Sequence, residues 1–118
     1  IRQIVDALKE ETLVIIFAKG AWHSLQSMAA TGAHGLGIDW CISPQTARNF
    51  AGTSISLQGN FDPAKLLSPI PVIKKEVSEM LRGFGKGRYI ANLGHGILPN
   101  VPVDHARAFV DTVKDFSV

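Results

Sequence analysis

Cysteine is almost absent from this chain, which has 118 residues and a single thiol at Cys41. One cysteine excludes an intrachain disulfide and a thiolate-rich metal site. Long hydrophobic runs are also missing: the longest covers residues 13–18, far short of the ~20 residues that a membrane-spanning helix needs. No signal peptide is visible. We therefore expect a protein of the cytoplasm, with no membrane partner.

The chain also lacks a strong excess of one charge. Twelve Lys and Arg residues stand against ten Asp and Glu, the net charge is +2, and no run of Lys and Arg exceeds two. This charge is too weak and too scattered to predict nucleic-acid binding. A composition of 46% hydrophobic and 19% charged residues is typical of a folded domain. We expect residues 1–118 to form one domain.

Strand-like and helix-like segments alternate along the chain, which predicts an α/β fold with a parallel sheet and right-handed crossovers. The segment at residues 13–18 is apolar on both faces, as a strand covered on both sides would be. Ser43 and Pro44 are typical of a helix start. The predicted strands are residues 13–18, 35–38, 53–57 and 88–92, and the predicted helices lie within 1–11 and at 22–31, 44–50, 71–84 and 103–116, with a turn of helix at 64–67.

Each predicted strand changes from apolar to polar residues where it ends. In parallel α/β sheets the ligand site lies at the carboxyl ends of the strands, so these polar residues are expected to meet at one edge. A single polar residue at a strand end would need no function, because it could simply mark where the strand leaves the core. The residues at the four ends are Lys19, Asp39, Gln58 with Asn60, and Asn92 with His95.

His95 lies between Gly94 and Gly96, where flexible backbone can approach a ligand closely. Its imidazole, with an ordinary pKa near ~6.5, can exchange a proton or a hydrogen bond around neutrality; a structural role capping a loop is the alternative. The loop could cradle a phosphate, although it matches neither the P-loop nor the dinucleotide pattern. Asp39 could hold cationic or N–H groups of a ligand, or cap the next helix. Cys41 lacks the partner that a metal site would need.

Four motifs in order make the chain resemble the carboxyl-terminal half of the uroporphyrinogen decarboxylase family. The resemblance runs from about residue 13 to residue 116, and the third and fourth motifs together are more specific than either alone. The motifs are FAKG at residues 17–20, GIDW at 37–40, LQGNFDP at 57–63 and YIANLGHG at 89–96.

The resemblance implies the last four βα units of a TIM (β/α)8 barrel, and thus a half-barrel fragment. It implies decarboxylation of the four acetate side chains of uroporphyrinogen III to give coproporphyrinogen III in haem and chlorophyll synthesis, with no metal or organic cofactor. The protonated pyrrole is the electron sink, and the enzyme supplies positioning and charge complementarity. His95 matches the family histidine that contacts substrate; no catalytic residue is assigned. The further candidates for substrate binding are Asp39, Asn60, Asn92 and Gly94.

The family's carboxylate-binding arginines and its pyrrole-binding aspartate lie in the amino-terminal half, so the isolated chain is expected to be inactive. Half a barrel would expose an apolar sheet face and two unpaired strand edges. We therefore expect a homodimer that pairs two half-barrels, with an open, doubly wound sheet as the competing outcome. Two other functions remain open: a related barrel methyltransferase acting on a corrinoid or thiol, against which the single Cys41 argues, and a non-catalytic structural half-domain.

Overall fold

The computed structural model describes residues 1–117 and confirms the α/β class. Strands and helices alternate along the chain, with two short 3-10 helices at Trp22–Ser24 and Pro63–Leu67. The strands are β1 Ile15–Phe17, β2 Gly35–Ile38, β3 Ser56–Phe61 and β4 Tyr89–Leu93. The helices are α1 Arg2–Leu8, α2 Leu25–Ala29, α3 Pro44–Ala51, α4 Ile70–Phe84 and α5 Val103–Asp115. Within residues 1–117, no helix is both long and apolar enough to cross a membrane.

All strand pairs are parallel, and the strands stand in the sheet in the order β1-β2-β3-β4. Because right-handed crossovers between successive neighbours place every helix on the same side, this order is that of a barrel segment. A doubly wound sheet would reverse its order at some point, and within residues 1–117 the order does not reverse. The doubly wound alternative was therefore wrong. As expected, β1 and β4 form the two edges.

The core lies between the sheet and the helices. Leu36 and Leu57, on the helix side of the sheet, are fully buried, as are Ile73 and Val77 of α4. The spacing of apolar residues in α4 predicts a buried stripe of Val72, Ile73, Val77, Met80 and Leu81, and all of these are buried except Val72, which is 42% exposed. In α5 the sequence predicts that Ala106, Phe109, Val110 and Val113 face inward. The structure instead buries Ala108 and Phe109 in one cluster with the α4 core residues and leaves Val110 exposed.

Helix α3 begins as the sequence predicts. The Ser43 hydroxyl accepts a hydrogen bond from the backbone N–H of Thr46 at 3.1 Å, and Pro44 occupies the first helical position. This cap satisfies one of the orphan donors of the first turn, and proline needs no partner there. The start of α3, immediately beyond the carboxyl end of β2, is thereby fixed.

Strand β3 is displaced toward the carboxyl end from its prediction. It starts at Ser56 instead of residue 53 and continues to Phe61, so Gln58 and Asn60, expected just beyond the end of the strand, lie within the sheet. Both neighbours pair with this stretch, which outweighs its low strand propensity. Only glycine fits at Gly59: its φ is +141°, and a Cβ would lie 2.2 Å from the carbonyl oxygen of Ile38.

The sheet side away from the helices, the inner face, is open. Ile15 and Phe17 of β1 are 44% and 47% exposed, whereas Ile16 between them packs against the core. The apolar pattern of β1 suggested cover on both sides, and this was wrong, whereas the exposed apolar sheet face expected of a half-barrel is observed. The ladder partners in β2, Gly35 and Gly37, leave room for the two β1 side chains to lean across: a Cβ on Gly37 would lie 2.9 Å from that of Phe17.

Candidate functional site

A cavity of about 470 Å³ lies on the inner face at the carboxyl end of the sheet. It brings together β1, β2, β3, β4 and the loop that follows β4, as parallel strands ending at one edge should. Its lining residues are Ile15, Phe17, Gly37, Ile38, Gln58, Asn92, Leu93, Gly94, His95, Gly96 and Ile97. Of the six polar residues expected to meet at this edge, Gln58, Asn92 and His95 line the cavity, and the binding candidate Gly94 lines it too.

His95 projects from the loop after β4 and faces Phe17 of β1. The two ring centroids are 6.3 Å apart and the ring planes are tilted by 57°. A side chain of the edge strand β1 and one from the loop that follows the other edge strand, β4, thus approach each other across the cavity, as expected for a curved barrel segment. His95 is exposed, so its ring nitrogens are open to a ligand. Phe17 was not among the candidate residues predicted from the sequence, although it is the last residue of β1.

The loop that carries His95 is seated on its neighbours through Gly94. The Gly94 N–H donates to the carbonyl of Phe61 at 2.7 Å, at the end of β3. A Cβ at Gly94 would lie 2.9 Å from Asp39 Cα and 3.0 Å from both the backbone nitrogen and Cε3 of Trp40. Only a residue without a side chain lets this loop lie against the segment that follows β2. Gly94 therefore positions His95.

Asp39 is buried, with 4% of its surface exposed, and its carboxylate binds backbone groups. One oxygen accepts a hydrogen bond from the N–H of Gly20, and the other accepts from the N–H of Cys41 at 3.0 Å. Asp39 thus joins the loop after β1 to the turn after β2. Both carboxylate oxygens are engaged, so Asp39 acts on the cavity through the backbone that it holds.

Asn60, also buried, completes this network from β3. Its amide nitrogen donates to the carbonyl of Asp39 at 3.1 Å and to that of Ile42 at 2.7 Å. Two backbone carbonyls of the turn after β2 are thereby satisfied in the interior, where leaving them unpaired would be costly. Asn92, by contrast, is exposed at the cavity, and its side-chain oxygen accepts from the N–H of Leu93 at 2.8 Å.

Comparison with known proteins identifies the family. The model of the uroporphyrinogen decarboxylase family matches residues 1–116. The chain belongs to this family. A uroporphyrinogen decarboxylase from Flavobacterium johnsoniae is 58% identical, and one from Christiangramia forsetii is 56% identical; each match covers 98% of this chain and 34% of the relative. The chain therefore spans about a third of the length of these relatives.

A solved structure shares the fold. A methyltransferase from Methanosarcina mazei superposes with a TM-score of 0.82 over 98% of this chain and 34% of its own length, at 24% sequence identity. Identity this low shows the shared fold alone. Relatives named uroporphyrinogen decarboxylase, at 42% to 58% identity, support the decarboxylase family over the methyltransferase alternative.

The remaining polar candidates of the family motifs lie around the cavity rather than in it. Lys19 places its ammonium 5.3 Å from the centre of the Trp40 ring, a cation–π contact at the rim. Desolvation, and then the charge of Asp39, raise the pKa of the Cys41 thiol, which disfavours the thiolate that a metal would need. Residues 1–117 contain no group of three or more His, Cys, Asp or Glu side chains that could hold a metal ion.

The other three histidines lie away from the cavity. His34 accepts a hydrogen bond from the N–H of Val14 at 3.0 Å, and His105 is 2.6 Å from the carbonyl oxygen of Leu66. His23 is exposed and packs edge-on against Trp22. Of the four histidines in the chain, His95 alone lines the cavity.

Proposed function

We propose that residues 1–118 form the carboxyl-terminal half-barrel of a uroporphyrinogen decarboxylase, a cytoplasmic carboxy-lyase. The complete enzyme would convert the four acetate side chains of uroporphyrinogen III to methyl groups, giving coproporphyrinogen III for tetrapyrrole synthesis. The observation that carries this proposal is the seating of the family's NLGHG loop, which directs His95 into the cavity beside Phe17. No metal or organic cofactor enters the proposed reaction.

In this proposal the inner face provides one wall of the porphyrinogen cleft. The apolar side chains of Phe17 and Ile97 would pack against the macrocycle, and the imidazole of His95 would contact a pyrrole or carboxylate group. Gln58 and Asn92 offer amide groups beside it. Gly94, Asp39 and Asn60 serve the same site indirectly, because they hold the backbone from which His95 projects. Catalysis would then rest on positioning and on charges that complement the protonated pyrrole.

The isolated chain is expected to be inactive. A substrate that carries several carboxylates needs cationic partners, yet within residues 1–117 His95 is the one titratable side chain among those lining the cavity. The acetate-binding cations must therefore come from outside this part of the barrel. This chain supplies shape and an imidazole rather than charge.

The open inner face also supports the proposed homodimer. Ile15, Phe17 and Ile90 leave 44%, 47% and 47% of their surfaces exposed on this face, between the unpaired edges β1 and β4. Closing the sheet against a second copy would cover these side chains and pair the edges. Light scattering over a concentration series should give a dimer mass, and a monomer mass at every concentration would refute the pairing.

A binding titration tests the proposed site. The chain should bind a porphyrinogen weakly, His95→Ala should abolish binding, and His23→Ala, which removes an exposed imidazole elsewhere, should not. Equal binding by His95→Ala and the unchanged chain would overturn the assignment of His95. Absence of binding by all three would instead favour a structural half-domain that needs the rest of the barrel before it can hold a ligand.

A further inference from the structure

A second cavity, of about 410 Å³, lies at the amino-terminal ends of β3 and β4, opposite the end that carries His95. It is formed where the segment after α3 leads into β3 and the loop after α4 leads into β4. Its lining residues are Arg48, Thr53, Phe84, Lys86, Gly87 and Arg88. Three of the six are cationic, and none is acidic.

These three cations have no acidic partner in the described structure. Residues 1–117 form four ion pairs, and Arg48, Lys86 and Arg88 belong to none of them. Three of the 12 Lys and Arg residues in the chain therefore line one cavity with no acidic side chain among its lining residues.

Arg48 is fixed in place before any ligand arrives. Its guanidinium donates to the carbonyls of Gly52 at 3.0 Å and Ile55 at 2.8 Å, and to that of Arg88 at 3.2 Å. A guanidinium has five N–H donors, so donors remain beyond these three bonds. Desolvation, and then the charge of Arg88, lower the pKa of Arg48. A bound anion would relieve this like-charge repulsion.

The backbone that presents Arg88 is unusual. Arg88 has a φ of +50°, and it is the one non-glycine residue within 1–117 with a positive φ. Left-handed backbone is unfavourable for a residue with a Cβ, and such strain concentrates at ligand-holding loops. The backbone N–H groups of residues 86–88 donate no hydrogen bond to another backbone group in the described chain. Both features suit a loop that receives a ligand's acceptor oxygens.

We propose that this cavity binds an oxyanion of the phosphate type, held by Arg48, Lys86 and Arg88. Guanidinium groups match the paired oxygens of such an anion, and the lysine adds a point charge. Thr53 places a hydroxyl at the same cavity. A carboxylate shares this oxyanion chemistry, so the experiment compares inorganic phosphate with acetate.

The test is thermal unfolding of the 118-residue chain in phosphate, acetate or chloride at matched ionic strength. At about ten times its dissociation constant, phosphate should raise the melting temperature by roughly 5 °C, and the rise should continue with the logarithm of the phosphate concentration. Lys86→Gln and Arg88→Gly should lose most of this rise. Arg88→Gly relieves the strained backbone, so it should remain folded without phosphate. Lys74→Gln, the same charge change at an exposed site on α4, should keep the rise.

Equal melting temperatures in phosphate, acetate and chloride would overturn the proposal, because ionic screening would then explain the whole effect. Retention of the phosphate rise by both Lys86→Gln and Arg88→Gly would also overturn it. A rise in acetate that equals the rise in phosphate, grows with the logarithm of acetate concentration and is lost by both variants would support the oxyanion site and identify a carboxyl group as its occupant.

Discussion

Replacing Gly94 by alanine tests whether the loop that carries His95 packs as closely against Asp39 and Trp40 as its contacts indicate. The added Cβ would lie 2.9 Å from Asp39 Cα and 3.0 Å from the backbone nitrogen of Trp40. Asp39 cannot retreat easily, because its carboxylate binds two backbone N–H groups and its carbonyl accepts from Asn60. The loop itself must move, and His95 moves with it.

The size of the effect follows from the contact distances. Forcing one extra carbon into a well-packed region costs about 1–3 kcal/mol. For a domain of this size each kcal/mol lowers the melting temperature by about 4 °C, so Gly94→Ala should unfold roughly 4–12 °C below the unchanged chain. It should also weaken any ligand contact made by His95, because small displacements of a binding group lose much of its contribution.

Gly96, on the other side of His95, gives a matched control. A Cβ there would meet nothing within 4 Å. Gly96→Ala should therefore change the free energy of unfolding by less than about 1 kcal/mol, with the sign favouring stability, since alanine restricts the unfolded chain. Urea titration followed by tryptophan fluorescence measures both variants, and Trp40 lies beside the loop. Equal stability of the two variants would refute the close packing of Gly94 against Asp39 and Trp40.

Three further perturbations test other parts of the fold. Ser43→Ala removes the cap of α3 and should lower the free energy of unfolding by about 1 kcal/mol in urea titration. Ser43→Thr should keep most of the stabilisation that the cap provides. Asn60→Ala leaves two buried carbonyls without their donor, so the same assay should show a loss of about 1–3 kcal/mol; a loss below ~0.5 kcal/mol would contradict the network. Burial raises the pKa of Tyr89, the only tyrosine, well above its ordinary value of 10.0, so near-ultraviolet absorbance of the folded chain should show no phenolate at about pH 11. Above about pH 10 the phenol ionises in the unfolded chain but not in the folded chain. The free energy of unfolding should therefore be unaffected by Tyr89 below about pH 10 and should fall by about 1.4 kcal/mol per pH unit above it. Titration of the Tyr89 phenol at its ordinary pKa in the folded chain would contradict its burial.

The parts of the fold with strong local signals could be predicted from the sequence. Strand β2 has the predicted bounds, and α3 and α4 agree within one residue at each end. A proline after a capping serine, and a periodic apolar stripe, act through neighbours along the chain. These signals do not depend on what the sheet meets elsewhere.

Strand β3 was misplaced because its extent is decided by tertiary pairing. The residues at 58–60 have low strand propensity, yet they pair with β2 on one side and β4 on the other. The local pattern of β1 wrongly suggested cover on both sides, although the half-barrel expectation correctly predicted an exposed apolar face. Its apolar side chains suit a barrel interior, but whether they are covered depends on groups that the local pattern does not describe.

Some residues of the candidate site could likewise be predicted from the sequence, whereas the roles of others depend on tertiary contacts. His95 could be identified because two glycines and the family motif mark it, and Gln58, Asn92 and Gly94 join it at the cavity. The roles of Asp39 and Asn60 could not be distinguished by sequence, because a buried carboxylate that binds backbone N–H groups looks the same as one that binds ligand. Their partners come from the loops after β1 and β2, which only the folded sheet brings together.

The positions of the cations explain why this half-barrel would need a second wall to hold a substrate that carries several carboxylates. At the carboxyl end of the sheet, Lys19 lies over Trp40, and the cavity itself offers an imidazole and amides. Arg48 and Arg88 lie at the amino-terminal end and cannot reach a ligand at His95. A porphyrinogen's carboxylates would therefore meet no fixed cation on this wall of the cleft. Decarboxylation by the proposed enzyme requires that the opposing wall supply the charge, while this wall supplies the apolar surface and His95.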